Sequence, residues 1–202
     1  MKKISLIALF VCCLLFAKTP AEIQTKLLER YGSIQTFSAD LKQSNYFSQL
    51  DQRIVYEGKI YFQPPRMLIS FDKPTLQRLI VYQGKAELYD GSSSTLFISD
   101  IQPEFIKMNP IELLQLYWEQ SKVEILGTQD GLVQIRLIPQ SDPLIQELTA
   151  SLEEATGIVR ELSYKDHSKN TVSYSFSKIT FNKPIPAQVW DFHYPEDTQI
   201  IH

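Results

Sequence analysis

The chain predicts a mainly β protein (α+β): one large, curved, mostly antiparallel sheet with two helical segments available to cover it. Three observations carry this reading. Runs of six to eleven residues rich in Ile, Val, Leu, Phe and Tyr recur along the chain, separated by short Pro, Gly, Asp and Asn breaks. Only two stretches show apolar spacing of helical period. Residues 53–91 form four consecutive strands with apolar side chains on both faces, so that sheet must be covered on both, closed around something, or used to hold something.

In chain order, Lys2 and Lys3 followed by the hydrophobic run Ile4–Phe16 and the small Ala17 read as a secretory signal, residues 1–17, removed on export. Both cysteines, Cys12 and Cys13, lie inside it. Val11 before Cys12 is a poor lipid-attachment signal, so the mature chain is expected to carry neither lipid nor cysteine, which excludes disulfides and thiol chemistry. Removing residues 1–17 takes Lys+Arg from 20 to 18 against 23 Asp+Glu, a formal charge of −5. The charges are interspersed, with no basic block suited to nucleic acid. Residues 18–202 fit a single domain.

A first helix is expected over Pro20–Tyr31, with Ile23, Leu27, Leu28 and Tyr31 on one stripe and Gly32 at its end. Phe37, Ala39 and Leu41 then alternate with Ser38, Asp40 and Lys42, which marks a strand with one apolar face. Strands follow at 53–63, 66–72, 76–83, 85–90 and 94–99, broken by Pro64-Pro65, Lys73-Pro74, Gln83-Gly84 and Asp90-Gly91-Ser92. Connections this short force antiparallel neighbours. The pattern changes around Pro103–Met108, and Pro110 opens a second helix to Gln120 with Ile111, Leu114, Tyr117 and Trp118 on its apolar stripe. Strands resume at 122–127 and 132–139 through an Asp130-Gly131 hairpin, then at 144–154, 158–165 and 171–181. A turn at Pro184–Trp190 and a last strand at Phe192–Tyr194 complete the reading.

Signals for catalysis are absent from this pattern. His167, His193 and His202 sit in polar or terminal positions, and no G-x-S-x-G or H-E-x-x-H occurs. Glu153 and Glu154, adjacent on an expected strand, would point to opposite faces. No metal or cofactor is expected. The aromatic load is 11 Phe, 10 Tyr and 2 Trp. It serves either an ordinary β core or a cavity lined by Phe, Tyr, Leu and Ile that holds an acyl chain; periodicity alone leaves both open.

Several motifs, in order, resemble the periplasmic outer-membrane lipoprotein carrier proteins, the LolA family. They are Phe37-x-Ala39-x-Leu41-x-Gln43, Gly58-Lys-Ile-Tyr-Phe-Gln-Pro64, Met67–Phe71 running to Pro74, Gln83-Gly84 with Tyr89-Asp90, Asn182, and Trp190-x-Phe192-x-x-Pro195. The resemblance implies an unclosed antiparallel β-barrel, or strongly curved sheet, with a helical lid over an apolar cavity. It further implies a periplasmic monomer that takes the acyl chains of lipoproteins from an inner-membrane ABC transporter and delivers them to the outer membrane, to an acceptor lipoprotein where one exists. The alternative is a lipid- or lipoprotein-sensing regulatory domain of the same architecture.

By alternation, the cavity-facing residues are Phe37, Leu41, Ile60, Phe62, Met67, Ile69, Phe71, Leu79, Val81, Val133, Ile135 and Leu137, with Ile111, Leu114 and Tyr117 from the lid. The resemblance also implies a basic residue beside the proline of the turn after residue 62, helping to hold the lid shut. Gln63 or Pro64 stands there, and Arg66 is the guanidinium available as a substitute latch.

Overall fold

A computed structural model describes residues 19–101 and 110–202. The expected signal segment 1–17 and the stretch Pro103–Met108 lie outside them. Helix α1 spans Pro20–Tyr31. Thr19 starts it: its hydroxyl accepts from the Glu22 N–H, and the Glu22 carboxylate accepts from the Thr19 N–H at 2.7 Å, satisfying two backbone donors that the helix leaves open. Pro110–Gln120 forms α2. No helix among the described residues is long and apolar enough to cross a membrane.

The strands are β1 (Phe37–Phe47), β2 (Gln52–Gln63), β3 (Arg66–Lys73), β4 (Gln77–Tyr82), β5 (Lys85–Asp90) and β6 (Thr95–Asp100). After α2 come β7 (Ser121–Gln129), β8 (Leu132–Pro139), β9 (Ile145–Glu153), β10 (Val159–Asp166), β11 (Thr171–Phe181) and β12 (Gln199–Ile201). They form one twelve-stranded sheet in the order β12-β6-β5-β4-β3-β2-β1-β11-β10-β9-β8-β7. Two antiparallel meanders, β1–β6 and β7–β11, are joined where β1 pairs with β11. The hairpin residues Gln83-Gly84 and Asp130-Gly131 all have positive φ (50° and 77°, 52° and 75°), the backbone that a two-residue antiparallel turn requires. The sheet is unclosed, with β7 and β12 at its edges.

Register carries the apolar rows unbroken across both meanders. Ile60 faces Ile69, then Leu79, Leu88 and Phe97. Tyr174 likewise faces Leu162, then Ala150, Ile135 and Ile125. These residues share the concave face. Both helices bury into the core there: α1 contributes Ile23 and Leu27, and α2 packs against β7, β8 and β10 with Leu113, Leu114, Tyr117 and Trp118. Lys26 and Arg30 also tie α1 to the β9–β10 turn through the Glu154 and Thr156 carbonyls.

The second apolar face of residues 53–91 is covered as well. Leu68 (1% exposed), Tyr89 and Leu96 point outward from β3, β5 and β6, where residues 183–202 run as a strap. The Phe192 and Tyr194 rings sit 5.8 and 5.4 Å from Tyr89. Arg78 lies over Phe192 at 4.3 Å and donates to the Val189 carbonyl, and Tyr194 Oη donates to Glu87 at 2.8 Å. The strand expected at Phe192–Tyr194 does not form. Its two-residue alternation places both rings on the sheet's outer face instead of pairing the backbone at an edge. The last strand is β12, parallel to β6, after a 3-10 turn at Ala187–Val189. Glu153 ends β9 and takes Arg160, while Glu154 falls in the following turn, so the two are not neighbours on a strand.

Candidate functional site: a strand-walled cavity on the concave face

All twelve strand residues expected to face a cavity share the concave face, since each β1–β4 and β8 position follows the same alternating register. The alternation survives because the irregularities fall between these positions, at Ser38/Asp40, Glu57/Gly58 and Ile125/Gly127.

The structure separates that set into three groups. Ile69, Phe71 and Leu79 wall a cavity of about 400 Å³ between β3–β5 and β10–β11. Phe37, Ile60 and Phe62 border a smaller space of about 100 Å³ that also touches α1, through Tyr31, and α2, through Ile111. Leu41, Met67, Val133, Ile135 and Leu137 are close-packed core, and half-buried Val81 packs against it. Of the three lid residues, Ile111 meets the smaller space, whereas Leu114 and Tyr117 are fully buried in the core. Tyr117 Oη donates to the Asp142 carboxylate, and burial together with that neighbour holds the phenol well above its ordinary pKa.

The larger cavity has residues that alternation from the first helix onward did not single out. Leu88, Tyr164, Val172 and Tyr174 complete its apolar wall, and Gln43, Asn45 and Gln77 form a polar end. Gln43 Nε2 donates to Asn45 Oδ1 at 2.9 Å. The signal for Gln43 and Asn45 is their continuation of the Phe37-Ala39-Leu41 alternation. Burial raises the Tyr164 and Tyr174 phenols above their ordinary pKa, so both remain protonated.

Formal charge lies elsewhere. Lys59 pairs with Asp40 at 2.7 Å and Lys73 with Glu57 at 3.0 Å, on the sheet's outer face, where Lys178 and Lys59 hold the Asp40 carboxyl below the usual carboxylate range. Among the described residues, no group of three or more His, Cys, Asp or Glu is placed to hold a metal ion.

Arg66 has a different place from the one a latch would need. It is on the outer face, its guanidinium 4.1 Å from the Trp190 ring, and it donates to Gln63 Oε1 at 3.1 Å. Strand alternation explains the difference: Met67 and Ile69 point inward, so Arg66 points toward the strap. A double-mutant cycle of Arg66→Ala and Trp190→Ala should return a coupling of about 0.5–2 kcal/mol in urea unfolding. Arg66→Ala should leave acyl loading at the wild-type level. Additive effects on stability together with altered loading would return Arg66 to the lid.

The family model for the outer membrane lipoprotein carrier protein LolA matches residues 32–193. Among solved structures, an uncharacterised conserved protein from Thermus thermophilus aligns at TM-score 0.58 and 12% identity, over 91% of this chain and 99% of that one. A structure of the Pseudomonas aeruginosa MucA/MucB complex aligns at TM-score 0.52 and 10% identity, over 86% of this chain and 61% of that one. The Mycobacterium tuberculosis lipoprotein LppX aligns at TM-score 0.50 and 9% identity, over 84% and 99%. At such identities these neighbours share the fold alone. No curated protein matches the chain in sequence. The family match runs from the end of α1, through strands β1–β11, into the strap, and the chain belongs to the LolA family of outer membrane lipoprotein carrier proteins.

Proposed function

We propose that this chain is a periplasmic carrier that holds the acyl chains of lipoproteins in the concave face of its open sheet. Residues 1–17 would direct export, and residues 18–202 would act as one monomeric carrier domain. The observation that carries this reading is the cavity of about 400 Å³ on the concave face, walled by Ile69, Phe71, Leu79, Leu88 and Val172. That size falls in the range of about 300–1,000 Å³ usual for small-ligand sites. Its apolar wall suits a hydrocarbon, for which each methylene removed from water contributes about 0.8 kcal/mol.

A carrier must also let go. Helices α1 and α2 pack on the concave face at β7, β8 and β10, and no helix residue lines the larger cavity. The smaller space lies between the helices and the Phe37–Ile60–Phe62 wall. Shifting α2 at Ile111 would open the smaller space, giving one route for loading and release. Lipoproteins would arrive from an inner-membrane ABC transporter and leave to the outer membrane, through an acceptor lipoprotein where one exists. The transporter would supply the energy.

The reading is tested by adding the mature protein to spheroplasts that are making lipoproteins. Release of lipoproteins into solution in one-to-one complexes is the expected result. If it releases none while still binding an acylated protein, it is a sensor of the same architecture and not a carrier.

A further inference from the structure

We propose that the larger cavity selects acyl groups joined through an uncharged ester or amide and rejects acyl chains that end in an anion, with Gln43, Asn45 and Gln77 reading the link. This rests on the acyl-carrier reading above and names the chemistry of its ligand.

Every side chain lining the cavity is uncharged. At its polar end, Gln43 Nε2 is occupied by Asn45 Oδ1, which directs the Asn45 amide N–H groups and the Gln43 carbonyl to other partners. Gln77, Tyr164 and Tyr174 line the same space. These groups match an ester or amide, whose carbonyl accepts from neutral amide and hydroxyl donors. They do not offset the desolvation of a carboxylate or phosphate, which needs a paired cation when taken out of water.

Among the described strand residues, the register places no such cation on this face. Among the described residues, the concave positions of β1–β6 and β11 carry no lysine or arginine, and β10 presents Leu162 and Tyr164 there. Lysines of these strands are on the outer face, where Lys59, Lys73 and Lys85 pair with Asp40, Glu57 and Asp100. The charged concave position beside the amide end is Asp90, opposite Gln77. Its carboxylate accepts from the Ser92 N–H at 2.8 Å and the Ser92 hydroxyl at 2.7 Å, so this position offers no cation to a ligand anion. A cavity that only needed to hold hydrocarbon would gain nothing from an amide end, and one that held fatty acids or phospholipids would need a cation there.

The test uses two ligands with one hydrocarbon, oleoyl glycerol and oleate, titrated calorimetrically into the mature protein at a mildly alkaline pH where oleate is ionised. The expected result is at least about tenfold tighter binding of the ester. Gln77→Lys, and separately Asn45→Lys, should raise oleate affinity about tenfold and remove the preference, with thermal melts reporting that each variant is folded. Equal wild-type affinity for the two ligands overturns the proposal. So does a preference that persists in both folded lysine variants, because the amides would then not be reading the link. Failure of a triacylated lipopeptide, oleoyl glycerol and oleate all to bind is a different outcome, and it removes the acyl-carrier reading itself.

Discussion

Filling the strand-walled cavity with the pair Leu79→Trp and Leu88→Trp should abolish loading of a triacylated lipopeptide while leaving the sheet folded. The two residues are register partners on β4 and β5, and both line the space of about 400 Å³. Both side chains border the cavity as well as core neighbours, so the added ring volume can extend into open space instead of displacing the packed side. The ligand, by contrast, loses the room it needs. Excluding four methylenes at about 0.8 kcal/mol each removes about 3 kcal/mol of binding, more than a hundredfold in affinity. Calorimetric titration with the lipopeptide measures the loss, and an unchanged thermal midpoint separates it from unfolding. Wild-type affinity in a folded double variant would place the acyl chains elsewhere.

The largest effect on stability is expected from Gly58→Ala, a change of one methyl group. Gly58 lies in β2 on the concave face, between Leu41 of β1 and Phe71 of β3. A Cβ there would stand 2.0 Å from the Ser70 carbonyl oxygen and 2.6 Å from the Phe71 Cα. Both are backbone atoms of a paired strand, so no side chain can turn aside; the β2–β3 ladder itself must part. Overpacking of this kind costs about 1–3 kcal/mol where side chains can adjust, and rigid backbone places this case at or above the top of that range. Urea denaturation should show the midpoint falling with the slope retained. A stability within about 0.5 kcal/mol of wild type, the range of an ordinary surface substitution, would mean that the β2–β3 spacing is looser than the register shows.

Much of the fold was legible because local chemistry fixes local structure. Pro20 and Pro110 mark helix starts that the structure reproduces at those residues, and Asp130-Gly131 and Gln83-Gly84 adopt the turns their residue types favour. Faces were legible for the same reason: alternation placed Phe37, Ile69 and Leu79 on one surface, and the bulges fall where they do not invert it. What local pattern does not carry is distance along the chain. The β1–β11 pairing joins residues as far apart as Phe37 and Phe181, and no periodicity in either strand names its partner. The strap escaped for a related reason, since a Phe-x-Tyr alternation is the same whether it pairs at an edge or packs on a face. Core and cavity were inseparable because both need large apolar side chains. Leu137 and Leu79 read alike in sequence and both are buried, and only the packing around them shows that Leu79 also borders a void.

That packing also gives the two apolar faces of residues 53–91 separate roles. Leu68, Tyr89 and Leu96 are sealed by the strap through Phe192 and Tyr194, with Arg66 and Arg78 stacked on Trp190 and Phe192. Ile69, Phe71, Leu79 and Leu88 on the opposite face border open space. The strap thus lets thin, doubly apolar strands serve as the wall of a container without exposing their outer side.

The central claim, that acyl chains occupy the concave space between β3–β5 and β10–β11, is tested most directly by photocrosslinking. A triacylated lipopeptide with a diazirine at the end of one acyl chain would be loaded onto the mature protein, irradiated, and the adducts mapped by peptide sequencing. The account predicts adducts on Ile69, Phe71, Leu79, Leu88 and Val172. Adducts confined to the outer face, at residues such as Ser151, Ser163 and Ser175, would contradict it.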